Sequence, residues 1–86
     1  MAEAAPNPFY HDSEIADMAK LEWLMNLCDE TDLAIIENLM RRASYADIAE
    51  RSFISETAAK YRIRKMQNTC GVSSRRELYD FLKRYI

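Results

Sequence analysis

Apolar positions along the 86-residue chain recur with a helical period in five stretches. Ile15, Met18, Leu21, Leu24, Met25 and Cys28 follow helical spacing with Trp23 beside them. They predict an amphipathic N-terminal helix over about 14–28, capped by Ser13 and favoured at its start by Glu14 and Asp17. Its apolar stripe calls for a covering surface, either the rest of the domain, a second copy or another partner. Asp29 is a good cap for the next helix, in which Ile35, Ile36, Leu39 and Met40 form an inward stripe running to about Arg42. Ser44 caps a short helix, YADIAERS, with Ile48 and Ala49 inward. Phe53 and Ile54 come next without Gly or Pro and are expected to plug the core while the chain turns. Ser55 caps a fourth stretch, and Gly71 is placed to end it as a left-handed residue. Ser73 or Ser74 starts the last helix, with Glu77 at capping-box distance from Ser74 and Leu78, Phe81 and Leu82 facing inward. Residues 1–12 hold both prolines and no period, which predicts a flexible tail or linker. The division expected is therefore 1–12, an N-terminal helix over 13–28, and a helical domain over 29–86.

Composition agrees with an all-α reading. About half of the residues (49%) are apolar, and there is one Gly with two Pro, too few for a turn-rich β protein. No apolar run approaches the ~18 residues that a membrane-spanning helix needs, and no basic-then-apolar leader opens the chain. Cys28 and Cys70 lie far apart with a single His, His11. They form neither a disulfide framework nor a zinc-ligand pattern and are expected to be reduced thiols in a cytoplasmic protein.

Charge changes the picture more. The net charge of −2 conceals an acidic first part, 1–30, with one base against seven acids, and a basic remainder with eleven bases against seven acids. Lys60, Arg62, Arg64 and Lys65 crowd into the stretch after the Phe53-Ile54 turn. On a wheel at ~100° per residue, Ala59, Ile63, Met66 and Cys70 share one side, the buried stripe. Thr57, Lys60, Tyr61, Arg64 and Asn68 share the other, with Gln67 at its edge and Arg62 and Lys65 on the flanks. Glu56, in the first turn, is the helix's one acid. Lys60 and Arg64 are like charges at i,i+4, a spacing that costs a few tenths of a kcal/mol unless a counter-charge arrives. Duplex DNA supplies that charge, and its major groove admits a helix whose Arg, Lys and Asn side chains reach base edges. A short helix, a tight turn and a basic second helix form the helix-turn-helix arrangement.

These residues resemble the LuxR-type (GerE or NarL/FixJ) helix-turn-helix domain of bacterial transcription regulators. The resemblance runs from about Cys28 to Phe81. It is carried by SYADIA (44–49), IAERSFISE (48–56), Lys60 and Ile63 at family spacing, CGV (70–72) and SRRE (74–77). It implies a four-helix domain, here preceded by the extra N-terminal helix, that serves as the output domain of a response regulator. Lys60, Tyr61 and Arg64 would face bases. Ser44, Ser55, Thr57, Arg62, Lys65, Asn68 and Arg75 would approach phosphates or flank the groove. Glu77, Leu78, Phe81 and Lys83 would form the contact of a homodimer on double-stranded DNA, with a regulatory receiver or sensor domain elsewhere. The family has Gly where Arg42 stands, so either a left-handed angle there carries strain or the turn differs. It has Thr-Val where Ala58 and Ala59 stand, which removes a hydroxyl and thins the core.

Two other classes remain open on these residues. Promoter recognition of the sigma region-four kind uses the same motif. A protein-interaction or dimerisation module with weakened DNA binding would use the N-terminal helix instead. No phosphate loop, nucleophile motif, metal set or cofactor motif is present in the sequence, so an enzyme is not expected.

Overall fold

The computed structural model describes residues 12–85, with side chains from Ile15 onward. Five helices succeed one another along the chain: α1 (Asp12–Leu27), α2 (Glu30–Met40), α3 (Tyr45–Ser52), α4 (Glu56–Cys70) and α5 (Arg75–Tyr85). There is no strand among the described residues. Of the tail expected over 1–12, residues 1–11 lie outside them, and Asp12 opens α1 rather than ending the tail. Because α1 already contains Ser13, the cap expected there does not precede the helix.

One core joins α2 to α5. Ile35 and Leu39 of α2, Ile48 of α3, Ala59, Ile63, Met66 and Cys70 of α4, and Leu78, Phe81 and Leu82 of α5 are all buried. Removing water from these side chains is the main force holding the helices together, at about 1.5–3 kcal/mol for each large one. The start of α2 is fixed by two reciprocal bonds. Asp29 Oδ1 accepts the Asp32 N–H at 2.8 Å, and the Asp29 N–H donates to Asp32 Oδ2 at 3.3 Å. Ser44 Oγ accepts the Asp47 N–H at 3.1 Å to start α3, and Ser55 Oγ accepts the Ala58 N–H at 3.1 Å to start α4. Ser74, rather than Ser73, caps α5: its hydroxyl accepts the Glu77 N–H at 3.1 Å while the Glu77 carboxylate accepts the Ser73 N–H at 2.7 Å.

Three helices stop in the same way. After α2, α3 and α4 one residue enters the left-handed region: Arg42 at φ 61°, Phe53 at φ 59° and Gly71 at φ 70°. At each stop two N–H groups fold back onto the helix's last carbonyls. They belong to Arg42 and Ala43, to Phe53 and Ile54, and to Gly71 and Val72. The residue after each left-handed one, Ala43, Ile54 or Val72, rests against the core. This geometry corrects one expectation. Ile54 packs inward, but Phe53 is 94% exposed. A left-handed residue at that position turns its side chain away from the helix it ends, so Phe53 cannot be a plug.

α1 departs further from expectation. It lies chiefly on α4, and of its predicted stripe only Leu24 is buried, at 2% exposure, with Leu21 and Cys28 partly covered. Ile15, Met18, Met25, Trp23 and Leu27 face solvent. Apolar residues lie on both sides of α1, so the helix is not amphipathic. Period alone grouped them, but only one neighbouring element exists to cover them. Asp17 ties the helix to α5 by accepting the Tyr85 hydroxyl at 3.0 Å, with Arg84 at 3.6 Å.

Candidate nucleic-acid interface

α3, the Phe53–Ser55 turn and α4 make a helix-turn-helix, with α3 bracing α4 through Ile48 and Ala49. The wheel of α4 is as its sequence predicts on the inner side: Ala59, Ile63, Met66 and Cys70 are its buried residues. Thr57, Lys60, Tyr61, Arg64, Lys65 and Asn68 are exposed on the outer side. Tyr61 stands out from the surface with Lys65 Nζ 5.7 Å from its ring centre. The outer face thus combines cations, an aromatic ring, an amide and a hydroxyl, the groups that meet phosphates and base edges.

The face is less free of acid than the wheel suggests. Glu56 reaches Lys60 across one turn, Oε1 to Nζ 3.7 Å. An exposed pair of this kind contributes only a few tenths of a kcal/mol, so it holds Lys60 only weakly. Lys60 Nζ also lies 5.3 Å from the Tyr45 ring centre. Arg64 and Lys65 have no carboxylate partner among the described residues.

Arg62, expected at the DNA flank, is engaged by carboxylates at the start of α2. Its Nη1 donates to Asp32 Oδ1 at 2.9 Å and to both Asp29 carboxylate oxygens at 3.2 Å. These bonds tie the start of α2 to the middle of α4. The Asp32 N–H, followed by Arg62, holds the Asp29 carboxyl below its ordinary range, and the Asp32 and Asp29 carboxylates push the Arg62 guanidinium up. The pairing spans thirty residues or more, beyond any local pattern.

Ser44 and Ser55 are exposed caps whose hydroxyl protons stay available to a phosphate oxygen. Arg75 donates to the Ala43 carbonyl and stacks 4.7 Å above the Tyr45 ring centre. Of the residues expected to form a dimer contact on α5, Leu78 and Phe81 are buried in the core, while Glu77, which also caps α5, and Lys83 are exposed. Period placed Leu78 and Phe81 on one side of α5, and that side is the one turned to the core. Sequence reading did not pair Arg42 with Tyr79, whose guanidinium and ring centre lie 4.8 Å apart. The doublets Arg41-Arg42 and Arg75-Arg76, one at each side of this spot, were the available signal.

The two thiols are quiet. Burial raises Cys28, and burial pushes Cys70 up to about 11. Among the described residues no helix is long and apolar enough to cross a membrane.

Fold and site together define a helix-turn-helix protein. Residues 29–67, which span α2, α3 and most of α4, match the model of the AsnC-type helix-turn-helix domain. This finding corrects the LuxR-type resemblance, and the response-regulator setting and receiver partner inferred from that resemblance go with it. The match ends before CGV (70–72) and SRRE (74–77), the residues that carried the later part of that resemblance. The earlier part, IAERSFISE, lies within the matched segment and encodes the bracing helix and turn of the motif. No curated protein and no solved structure matches the chain.

Proposed function

We propose that the chain binds duplex DNA with sequence preference, as the DNA-binding part of a transcription regulator, with α4 in the major groove. The observation that carries this is the outer face of α4: Lys60, Tyr61 and Arg64 project from a helix braced by α3 and anchored by Arg62. The AsnC-type match supports it independently. Lys60, Tyr61 and Arg64 meet base edges. Ser44, Ser55, Thr57, Lys65, Asn68 and Arg75 meet phosphates or the groove flank, and Arg62 acts by positioning. Residues 29–86 form the binding unit, and α1 is an added element.

Selection of bound duplexes from random DNA tests the proposal, followed by titration of Arg64→Ala on the enriched sequence. The variant is expected to lose about 1–3 kcal/mol, the worth of a good base contact. A pool that enriches no sequence, or a folded Lys60→Ala/Arg64→Ala chain that binds like the parent, rules the proposal out.

The outer face of α1 favours a second, compatible role, self-association on a two-fold operator. Ile15, Met18, Trp23, Met25 and Leu27 are exposed there, with Glu22 the charge among them. Apolar side chains in this number on one helix suit a second copy of α1 better than the surface of α5 does. Sedimentation equilibrium of the parent and Trp23→Glu chains decides it: a parent that stays monomeric across the accessible concentrations excludes this role.

A further inference from the structure

A cleft opens between the end of α2 and the start of α5, away from the α4 stripe. It encloses about 630 Å³ and is lined by Leu39, Arg42, Ala43, Ser44, Arg75, Arg76 and Tyr79. Three arginines face it and no carboxylate lines it. None of Arg42, Arg75 and Arg76 has a carboxylate partner among the described residues, although Arg41, next in sequence to Arg42, pairs with Glu37 at 3.7 Å. Like charges gathered without a counter-ion repel one another, so the grouping favours an anion from outside.

Two aromatic rings organise the cations. Tyr45 lies between Lys60, 5.3 Å from its ring centre, and Arg75, 4.7 Å from it. Tyr79 lies between Arg42, at 4.8 Å, and Lys83, at 5.7 Å. Tyr45 therefore joins the α4 face to the cleft, and Tyr79 carries the positive surface on to α5. The Arg42 guanidinium beside its phenol also pulls the Tyr79 hydroxyl below the usual tyrosine range. Arg42 holds its place at φ 61°, where glycine would sit without strain. An arginine there carries backbone strain that a glycine would not, and its guanidinium is placed on the cleft.

We propose that this cleft takes a phosphate of the DNA backbone beside the groove that α4 enters, with Arg42 and Arg76 as its ligands and Arg75 as the link to α4. The inference rests on the DNA-binding reading and extends it to residues outside the helix-turn-helix. A phosphate contact adds affinity and salt dependence without reading sequence.

The test uses the full chain and an enriched duplex, with binding measured over a range of salt. Arg42→Gly relaxes the backbone as it removes the cation, so it keeps or raises the thermal midpoint and separates binding from folding. Arg42→Gly/Arg76→Ala is expected to make the negative slope of log affinity against log salt shallower by about 0.9, the share of one phosphate. The ratio of affinities for the enriched and a scrambled duplex should stay at its parent value, and Arg42→Lys should restore most of the slope. A parent slope in the folded double variant, with Arg64→Ala still weakening binding, overturns the cleft and spares the α4 reading. A parent chain that fails to bind any duplex at low salt overturns both.

Discussion

The ends of α2 and α3 differ from the end of α4 in the residue placed at the left-handed angle, and α2 adds one further turn residue, Arg41, before it. All three use the same left-handed stop with the same pair of folded-back bonds. Only α4 places there the residue without a Cβ, Gly71, while α2 uses Arg42 and α3 uses Phe53. A left-handed angle costs a side-chain-bearing residue roughly 1–2 kcal/mol. The stop is therefore imposed by the next residue along the chain, since Ala43, Ile54 and Val72 must each reach the core. Tertiary packing dictates the backbone, and the residue at the turn accommodates it. The two strained stops lie one at each end of α3, against the surfaces proposed for DNA.

The contrast between the three stops breaks most severely at Gly71. A β-branched residue is the least tolerant of positive φ, so Gly71→Val is expected to destabilise the fold by roughly 2 kcal/mol in urea titration. A Cβ there would meet Lys20 Nζ at 3.4 Å, an ordinary contact, so crowding adds little to the backbone cost. A variant as stable as the parent would mean that the left-handed angle carries no strain. The reverse change at α3 should stabilise. Phe53→Gly relieves the angle and removes a ring that is almost wholly in solvent, for a net gain of about 0.5–1 kcal/mol after the added freedom of the unfolded chain. A loss of stability would show that the ring packs on something in solution. Arg42→Gly should gain less, about 0.3 kcal/mol or none, because it also removes the stacking on Tyr79. Equal gains at the two sites would mean that this stacking contributes nothing.

A separate test concerns pH. Burial raises Cys70 to about 11 in the fold, against about 8.5 for a free thiol. A raised folded value means that the neutral thiol is favoured by folding. Its contribution is complete below the unfolded pKa and is lost as pH rises from there towards the folded value. Thermal midpoints measured between pH 8 and 11 should therefore fall more steeply for the parent than for Cys70→Ala, whatever the difference in their absolute stability. Parallel curves would show that the buried thiol is not the group responsible.

Local pattern made α4 legible almost side chain by side chain, because one face of a helix packed on a core must be apolar and the other need not be. The same reasoning misplaced α1. Spacing tells which residues point the same way, but Met18 and Met25 point where no element lies. Phe53 misled for a related reason. Its hydrophobicity suggests burial, while the direction of its Cβ is set by a backbone angle that composition does not reveal. Arg62 was legible as a cation on the flank of α4, but its partners Asp29 and Asp32 are distant in sequence and depend on how α2 crosses α4. The family was misread because a run such as IAERSFISE encodes a brace and a turn, which helix-turn-helix proteins of different families share.

Trp23 is the one tryptophan of the chain and is 61% exposed on α1. Its indole emission in the folded single chain is therefore already close to that of a water-bathed fluorophore, and denaturation will shift its colour little. The same exposure makes it a sensitive reporter of another event. A blue shift without any change in helical circular dichroism would record the moment at which something settles over α1.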